Sequence, residues 1–136
     1  MRTTVFPDRA VSFGEGQVSV PRAEGGHFFL TLDVMGTPVR FVVDTGATDV
    51  VLARRDAERI GLDPEALDYT GRARTANGVV RTAPVTLPEV TLGDFVDQDV
   101  RAWVNEGELD LSLLGMSYLS RFSRVEIEAG RLVLTR

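Results

Sequence analysis

Apolar positions follow a strand rhythm over most of the chain. Residues 1–16 are the exception: with Pro7, Gly14 and Gly16 they read as an irregular tail or arm. Gln17 to Pro21 is a candidate short strand, and from His27 the chain turns strongly β. Phe28 to Met35 is a run of large and β-favouring residues, Gly36-Thr37 is a turn, and Val39 to Val43 is a second strand. The pair reads as a hairpin that ends in Asp44-Thr45-Gly46. Val50-Val51-Leu52 is a third short strand. Ala53 to Ile60 predicts a helix of about two turns, stopped by Gly61, and Asp63 to Thr70 is polar and turn-like.

Gly71 to Ala83 alternates weakly around Asn77-Gly78, a strong two-residue hairpin signal. Val85 to Val90 and Asp94 to Val104 read as strands, with turns at Pro88 and Gly93, and Asn105 to Asp110 as a polar loop. Leu111 to Leu114 is a buried apolar run that stops at Gly115. Met116 to Phe122 predicts a short helix with Met116, Leu119 and Phe122 on one side. Val125 to Ile127 and Leu132 to Leu134 predict a closing hairpin across Ala129-Gly130. The expected molecule is mostly β with two short helices: an N-terminal arm or short strand over 1–26 and one domain over 27–136.

Composition adds limits. With 136 residues, 43% hydrophobic and 26% charged, the chain has the make-up of one globular domain with one core. A formal net charge of −5 with no basic stripe argues against a nucleic-acid partner. The absence of Cys excludes disulfides and thiolate metal sites, and a single His makes a zinc site unexpected. No apolar run approaches the roughly 20 residues of a membrane span, and Met1 to Val20 lacks the apolar core of a signal peptide. The chain is expected to be soluble as written. A periplasmic domain separated from a membrane-anchored parent fits the same sequence, and the compartment stays open.

The chemistry concentrates at Asp44-Thr45-Gly46-Ala47-Thr48, directly after the apolar strand Phe41-Val42-Val43. A carboxylate at the end of a buried strand is costly unless it is hydrogen-bonded or functional. Gly46 permits a tight turn whose N–H reaches the carboxylate, and the Thr45 hydroxyl is placed to lock that turn. The plain alternative is a strand-to-loop turn with Asp44 as a local cap. Other candidates are weaker. His27 is the only His and reads as a strand-start residue, and no Gly-x-Ser-x-Gly elbow exists for nucleophilic catalysis. Asp94, Asp97 and Asp99 lack the regular spacing of a calcium loop and read as the solvated face of a strand. Gly14-Glu15-Gly16 lacks the rest of a phosphate-binding loop. Trp103 reads as core or pocket wall, and Met116 as core filler.

Three motifs in order change the balance: Val42-Val43-Asp44-Thr45-Gly46-Ala47, the hairpin around Thr75-Ala76-Asn77-Gly78, and Leu113-Leu114-Gly115 leading into Met116 to Phe122. In this order they resemble the retropepsin-like aspartic proteases over about His27 to Leu134. Phe41 to Thr48, Thr75 to Gly78 and Leu114 to Leu119 are similar to a bacterial branch of that family, whose members often carry an N-terminal membrane helix. The resemblance implies an acid-protease fold, a small closed β domain acting as a homodimer on a peptide or protein substrate, without cofactor or metal. It implies that Asp44 is the catalytic carboxylate, with Thr45, Gly46 and Ala47 supporting its loop. It further implies that Thr75, Ala76, Asn77 and Gly78 form a substrate-covering flap, and that Leu113, Leu114 and Gly115 pack beside the catalytic loop. One departure stands out: where retroviral members usually carry an Asp and an Arg that pair, this chain has Thr48 and Met116.

Aspartic proteases use two carboxylates that share one proton, because like charges about 3 Å apart cannot both ionise cheaply. This chain has one Asp-Thr-Gly; Asp68-Tyr69-Thr70-Gly71 is no second copy, because Tyr69 intervenes. The second carboxylate is therefore expected from another chain across a two-fold axis. The competing expectation is a catalytically inactive peptide-binding or dimerisation module on the same fold.

Overall fold

The computed structural model describes residues 11–75 and 78–136. The strands in chain order are β1 (Ser12–Gly14), β2 (Gln17–Pro21), β3 (Phe29–Val34), β4 (Thr37–Val43), β5 (Val50–Leu52) and β6 (Gly71–Thr75), then β7 (Gly78–Leu92), β8 (Phe95–Asn105), β9 (Ser112–Leu114), β10 (Arg124–Glu128) and β11 (Arg131–Thr135). The helices α1 (Arg54–Arg59) and α2 (Met116–Leu119) are short, and a 3-10 turn covers Pro64–Ala66. This is the mostly β domain with two short helices that the apolar pattern predicts.

The larger sheet runs β3-β4-β9-β5-β8-β7-β6, and β3 also pairs with β7 at Asp33↔Thr91 and Val34↔Val90, which closes it on itself. Alternate residues point inward, so Leu30, Leu32, Val39, Phe41, Leu52, Leu87 and Leu114 are buried in one core. The smaller sheet runs β1-β2-β11-β10 and adds Val18, Val20, Leu132 and Leu134 to that core.

Three features differ from the sequence expectation. Ser12–Gly14 is a strand inside the stretch read as irregular, because β2, its hairpin partner, is fixed along its whole length by the distant β11. Pro88 does not end a strand. It lies inside β7, opposite Asp99 of β8, and the pairs on either side, Leu87↔Val100 and Glu89↔Gln98, keep one register. Pro88 has no N–H to give the ladder, and Asp99 takes a left-handed φ of 53°, so the irregularity is absorbed without a turn. Asp97 is not on a solvated face. It is 8% exposed and accepts from both terminal nitrogens of Arg136 at 2.9 Å, with Arg121 Nη1 at 3.4 Å. The Arg136 guanidinium also lies over Phe122, 4.3 Å from the ring centre, which ties the end of the smaller sheet to the larger one. No helix among the described residues is long and apolar enough to cross a membrane.

Candidate active site

Asp44 is the first residue after β4, where parallel pairing with β9 carries Val43 opposite Leu114. Its backbone N–H donates to the Leu114 carbonyl at 3.0 Å, and its own carbonyl accepts from Ala47 N–H at 3.1 Å, closing a tight turn. Gly46 N–H donates to Asp44 Oδ1 at 3.0 Å. One carboxylate oxygen is thus fixed by the turn. The side chain is half-exposed in the protomer rather than fully buried. Thr45 is exposed, and its hydroxyl locks nothing among the described residues.

The floor of this loop is the segment that follows β9. Met116 N–H donates to Ala47 O at 2.9 Å and Ser117 N–H to Thr48 O at 2.7 Å. These amide bonds hold the loop where an Asp–Arg ion pair is missing. They require a very close approach at Gly115: a Cβ there would sit 2.3 Å from Asp49 O and 2.8 Å from Ala47 O. The glycine in Leu113-Leu114-Gly115 is therefore demanded by backbone atoms of the Asp44 loop itself.

A second layer fixes β9 in turn. The buried Ser112 hydroxyl accepts from Ala53 N–H at 2.9 Å and donates to Asp56 Oδ2 at 2.7 Å. Arg59 donates to Asp56 Oδ1 at 3.2 Å and to the Pro38 carbonyl at 2.8 Å. One chain of hydrogen bonds links β4, α1, β9 and the end of β5, the elements around Asp44. Sequence reasoning did not single out Asp56 or Ser112, because neither lies in a motif and their meeting depends on strand register.

Register also builds an apolar row on the sheet face turned away from the core. Val42 stands beside Leu113, Leu113 beside Val51, and Val51 beside Trp103, and all four are half-exposed. Val42 and Leu113 directly precede the residues that bracket the Asp44 turn. Trp103, read as core or pocket wall, is the wall at the far end of this row.

The hairpin predicted around Asn77-Gly78 is formed by β6 and β7, paired from Gly71↔Thr82 to Thr75↔Gly78. Thr75 Oγ1 donates to the Gly78 carbonyl at 2.8 Å, and Gly78 has a φ of 110°, open to glycine. Ala76 and Asn77 lie outside the described residues. At the hairpin base, a Cβ on Gly71 would sit 2.8 Å from the Trp103 ring, so the hairpin stands against the end of the apolar row. Arg81 is held by Glu106 through two hydrogen bonds of 2.9 and 2.7 Å. The structure thus brings Asp44, Thr45, Gly46 and Ala47 together with Leu113, Leu114 and Gly115, while Thr75 and Gly78 belong to the separate hairpin.

The aspartyl protease family profile matches residues 30–118. An uncharacterized protein of Rickettsia prowazekii (strain Madrid E) is 36% identical over 132 residues, covering 97% of this chain and 57% of that protein. The chain spans little more than half the length of the curated relatives it matches. Among solved structures, a retropepsin-like aspartic protease from Rickettsia conorii superposes with a TM-score of 0.81 at 39% identity, over 88% of this chain and 89% of that one. The EIAV protease in complex with the inhibitor HBY-793 shares the fold with a TM-score of 0.58 at 18% identity, over 68% of this chain and 85% of that one. With the Asp44 turn, the Gly115 floor and the closed sheet in place, the chain belongs to the aspartyl protease family and has the retropepsin-like fold.

Proposed function

We propose that the chain is an aspartic endopeptidase that works as a homodimer, with one Asp44 carboxylate from each protomer. The observation that carries this reading is the Asp44 turn. One carboxylate oxygen is held by Gly46 N–H and the side chain is half-open beside an apolar row, yet each chain supplies only one such group. Two carboxylates facing each other across a two-fold share one proton. The ionised one takes a proton from water as general base, the protonated one polarises the scissile carbonyl, and no covalent intermediate forms. Thr45 and Gly46, exposed in the protomer, are the surface that the second copy covers. Val42, Leu113, Val51 and Trp103 receive apolar side chains of the substrate, and the β6–β7 hairpin closes over the peptide.

A mixing experiment tests the reading. Asp44→Asn alone abolishes cleavage while the protein stays folded. After random exchange of equal amounts of wild type and Asp44→Asn, about a quarter of the dimers keep both carboxylates, so activity per dimer falls to about a quarter. A value near one half, with exchange confirmed by a labelled subunit, shows that each chain works alone and ends the two-carboxylate mechanism. No cleavage of mixed peptides by the wild type at any protein concentration leaves the inactive binding module instead.

A further inference from the structure

β9 is three residues long and has few ties of its own. Three parallel pairs join it to β4 and one pair joins it to β5. Yet Leu114 O has to meet Asp44 N–H, and Gly115 has to lie against Ala47 and Asp49. A slip of one residue would turn Leu113 into the core and Leu114 out of it, and would break both contacts. At the head of this strand stands Ser112, 0% exposed and on the same inward face as Leu114. An apolar side chain would fill that place without the cost of burying a hydroxyl. The hydroxyl has a different task, and α1 shows what it is.

α1 begins after Ala53, a residue whose side chain cannot cap it. An acid at the third helical position commonly reaches back to the N–H of the capping residue. Asp56 holds that position, but it is one methylene shorter than the Glu that usually spans the gap. Ser112 completes the span from β9. Its oxygen accepts from Ala53 N–H at 2.9 Å, and its one proton is donated to Asp56 Oδ2 at 2.7 Å. Asp56 Oδ1 accepts from Arg59, which also donates to the Pro38 carbonyl in β4. β9 is thus pegged to the start of α1 and, through Arg59, to the strand that leads into Asp44.

We propose that Ser112 and Asp56 are positioning residues for the cleavage chemistry: this relayed cap holds β9 in the register that presents Leu114 O and Gly115 to the Asp44 loop. The inference rests on the aspartic-peptidase reading above and adds to it two residues that act only through β9. Without the hydroxyl, Ala53 N–H and one Asp56 oxygen lose their partner in a buried place, and β9 is left with its short ladders alone.

Ser112→Ala and the near-isosteric Ser112→Cys, whose thiol hydrogen-bonds weakly, remove the relay. Val20→Ala, which opens the core within the smaller sheet, reports loss of stability alone. Both Ser112 variants are expected to lose about tenfold or more in kcat with KM little changed, because a displaced Asp44 costs turnover. Val20→Ala, compared at equal folded fraction, is expected to keep both constants. Asp56→Ala is expected to lose as much as Ser112→Ala, and Asp56→Asn, which keeps an acceptor for Ser112, to recover most of that loss. Amide exchange supplies a readout that needs no cleavage: Asp44 N–H and Met116 N–H, bonded to Leu114 and Ala47, are expected to exchange faster in Ser112→Cys, while amides of β2 and β11 do not. Wild-type kcat in Ser112→Cys or Asp56→Ala, or losses no larger than that of Val20→Ala, overturn the positioning role and leave the two-carboxylate mechanism standing. A wild-type protein that cleaves no peptide overturns the enzyme reading; unchanged exchange at Asp44 and Met116 in Ser112→Cys then overturns the positioning role independently.

Discussion

At Gly115 two carbonyl oxygens, of Ala47 and Asp49, occupy the space a side chain would need. Both belong to backbone, and neither can swing away as a flexible side chain would. Gly115→Ala must therefore push the Asp44 loop off its floor and strain the Met116 N–H to Ala47 O bond. Overpacking of this kind costs about 1–3 kcal/mol. The expected outcome is a lower melting temperature together with a loss of kcat larger than that loss of folded fraction explains. Thermal melting and steady-state kinetics on one preparation separate the two effects, and a wild-type kcat in a folded variant contradicts the proposed loop support. The demand at Gly46 is milder: a Cβ there would sit 3.3 Å from Asp44 Oδ1, the carboxylate oxygen that its own N–H holds.

Among the elements, the β6–β7 hairpin is the one whose motion the proposed chemistry needs. Its tip residue Gly78 has a φ of 110°, where a Cβ would meet no neighbour but the backbone itself is strained for any other residue. Gly78→Val is expected to cost about 1–3 kcal/mol of local strain at the tip and to lower turnover more than global stability. Peptide titration followed by hydrogen exchange over residues 71–82 checks this: protection on binding is expected in wild type and reduced in the variant. Much at this scale was legible in the sequence. The β3–β4 hairpin, the Asp44 turn and the Asn77-Gly78 signal are local, each read from neighbours within a few residues, whereas Gly115 was legible only through its motif, because what demands a glycine there is the distant backbone of Ala47 and Asp49. What escaped depends on distant partners. β1 is ordered through β2 by β11, Pro88 is tolerated because Asp99 bends opposite it, and Asp97 is buried because Arg136 arrives from the far end of the chain. The apolar row of Val42, Leu113, Val51 and Trp103 likewise exists only once parallel and antiparallel registers bring four strands side by side.

On the scale of the whole molecule, the link between the two sheets contains a titration of its own. Tyr118 is fully buried, and its hydroxyl has no hydrogen-bond partner among the described residues; Arg136 acts on it electrostatically but not through a bond of proper geometry. Burial, and next the Asp97 charge, raise its pKa well above the usual 10.0. The native state therefore keeps the proton after the unfolded chain has released it. Stability that is intact below the unfolded value of 10.0 is lost as pH rises beyond it. Tyr118→Phe removes this loss and leaves Tyr69, whose pKa burial also raises, as an internal reference. Denaturant unfolding from roughly pH 9 to 11 is expected to show a steeper fall for wild type than for Tyr118→Phe. Parallel slopes contradict the assignment.

The pairing of β2 with β11 inside one protomer also bears on how the molecule is made. Strands exchanged between chains tie folding to encounter, so that a protomer has no stable folded state of its own. Here β2 and β11 pair within one protomer, and the core residues are buried without a second chain. Under the proposed homodimer, folding and assembly are separate events with different kinetic orders: the first proceeds at a rate indifferent to concentration, the second slows as the protein is diluted. On the homodimeric reading proposed above, a newly made chain is a finished but silent half-site, and cleavage waits until local abundance lets two such halves meet.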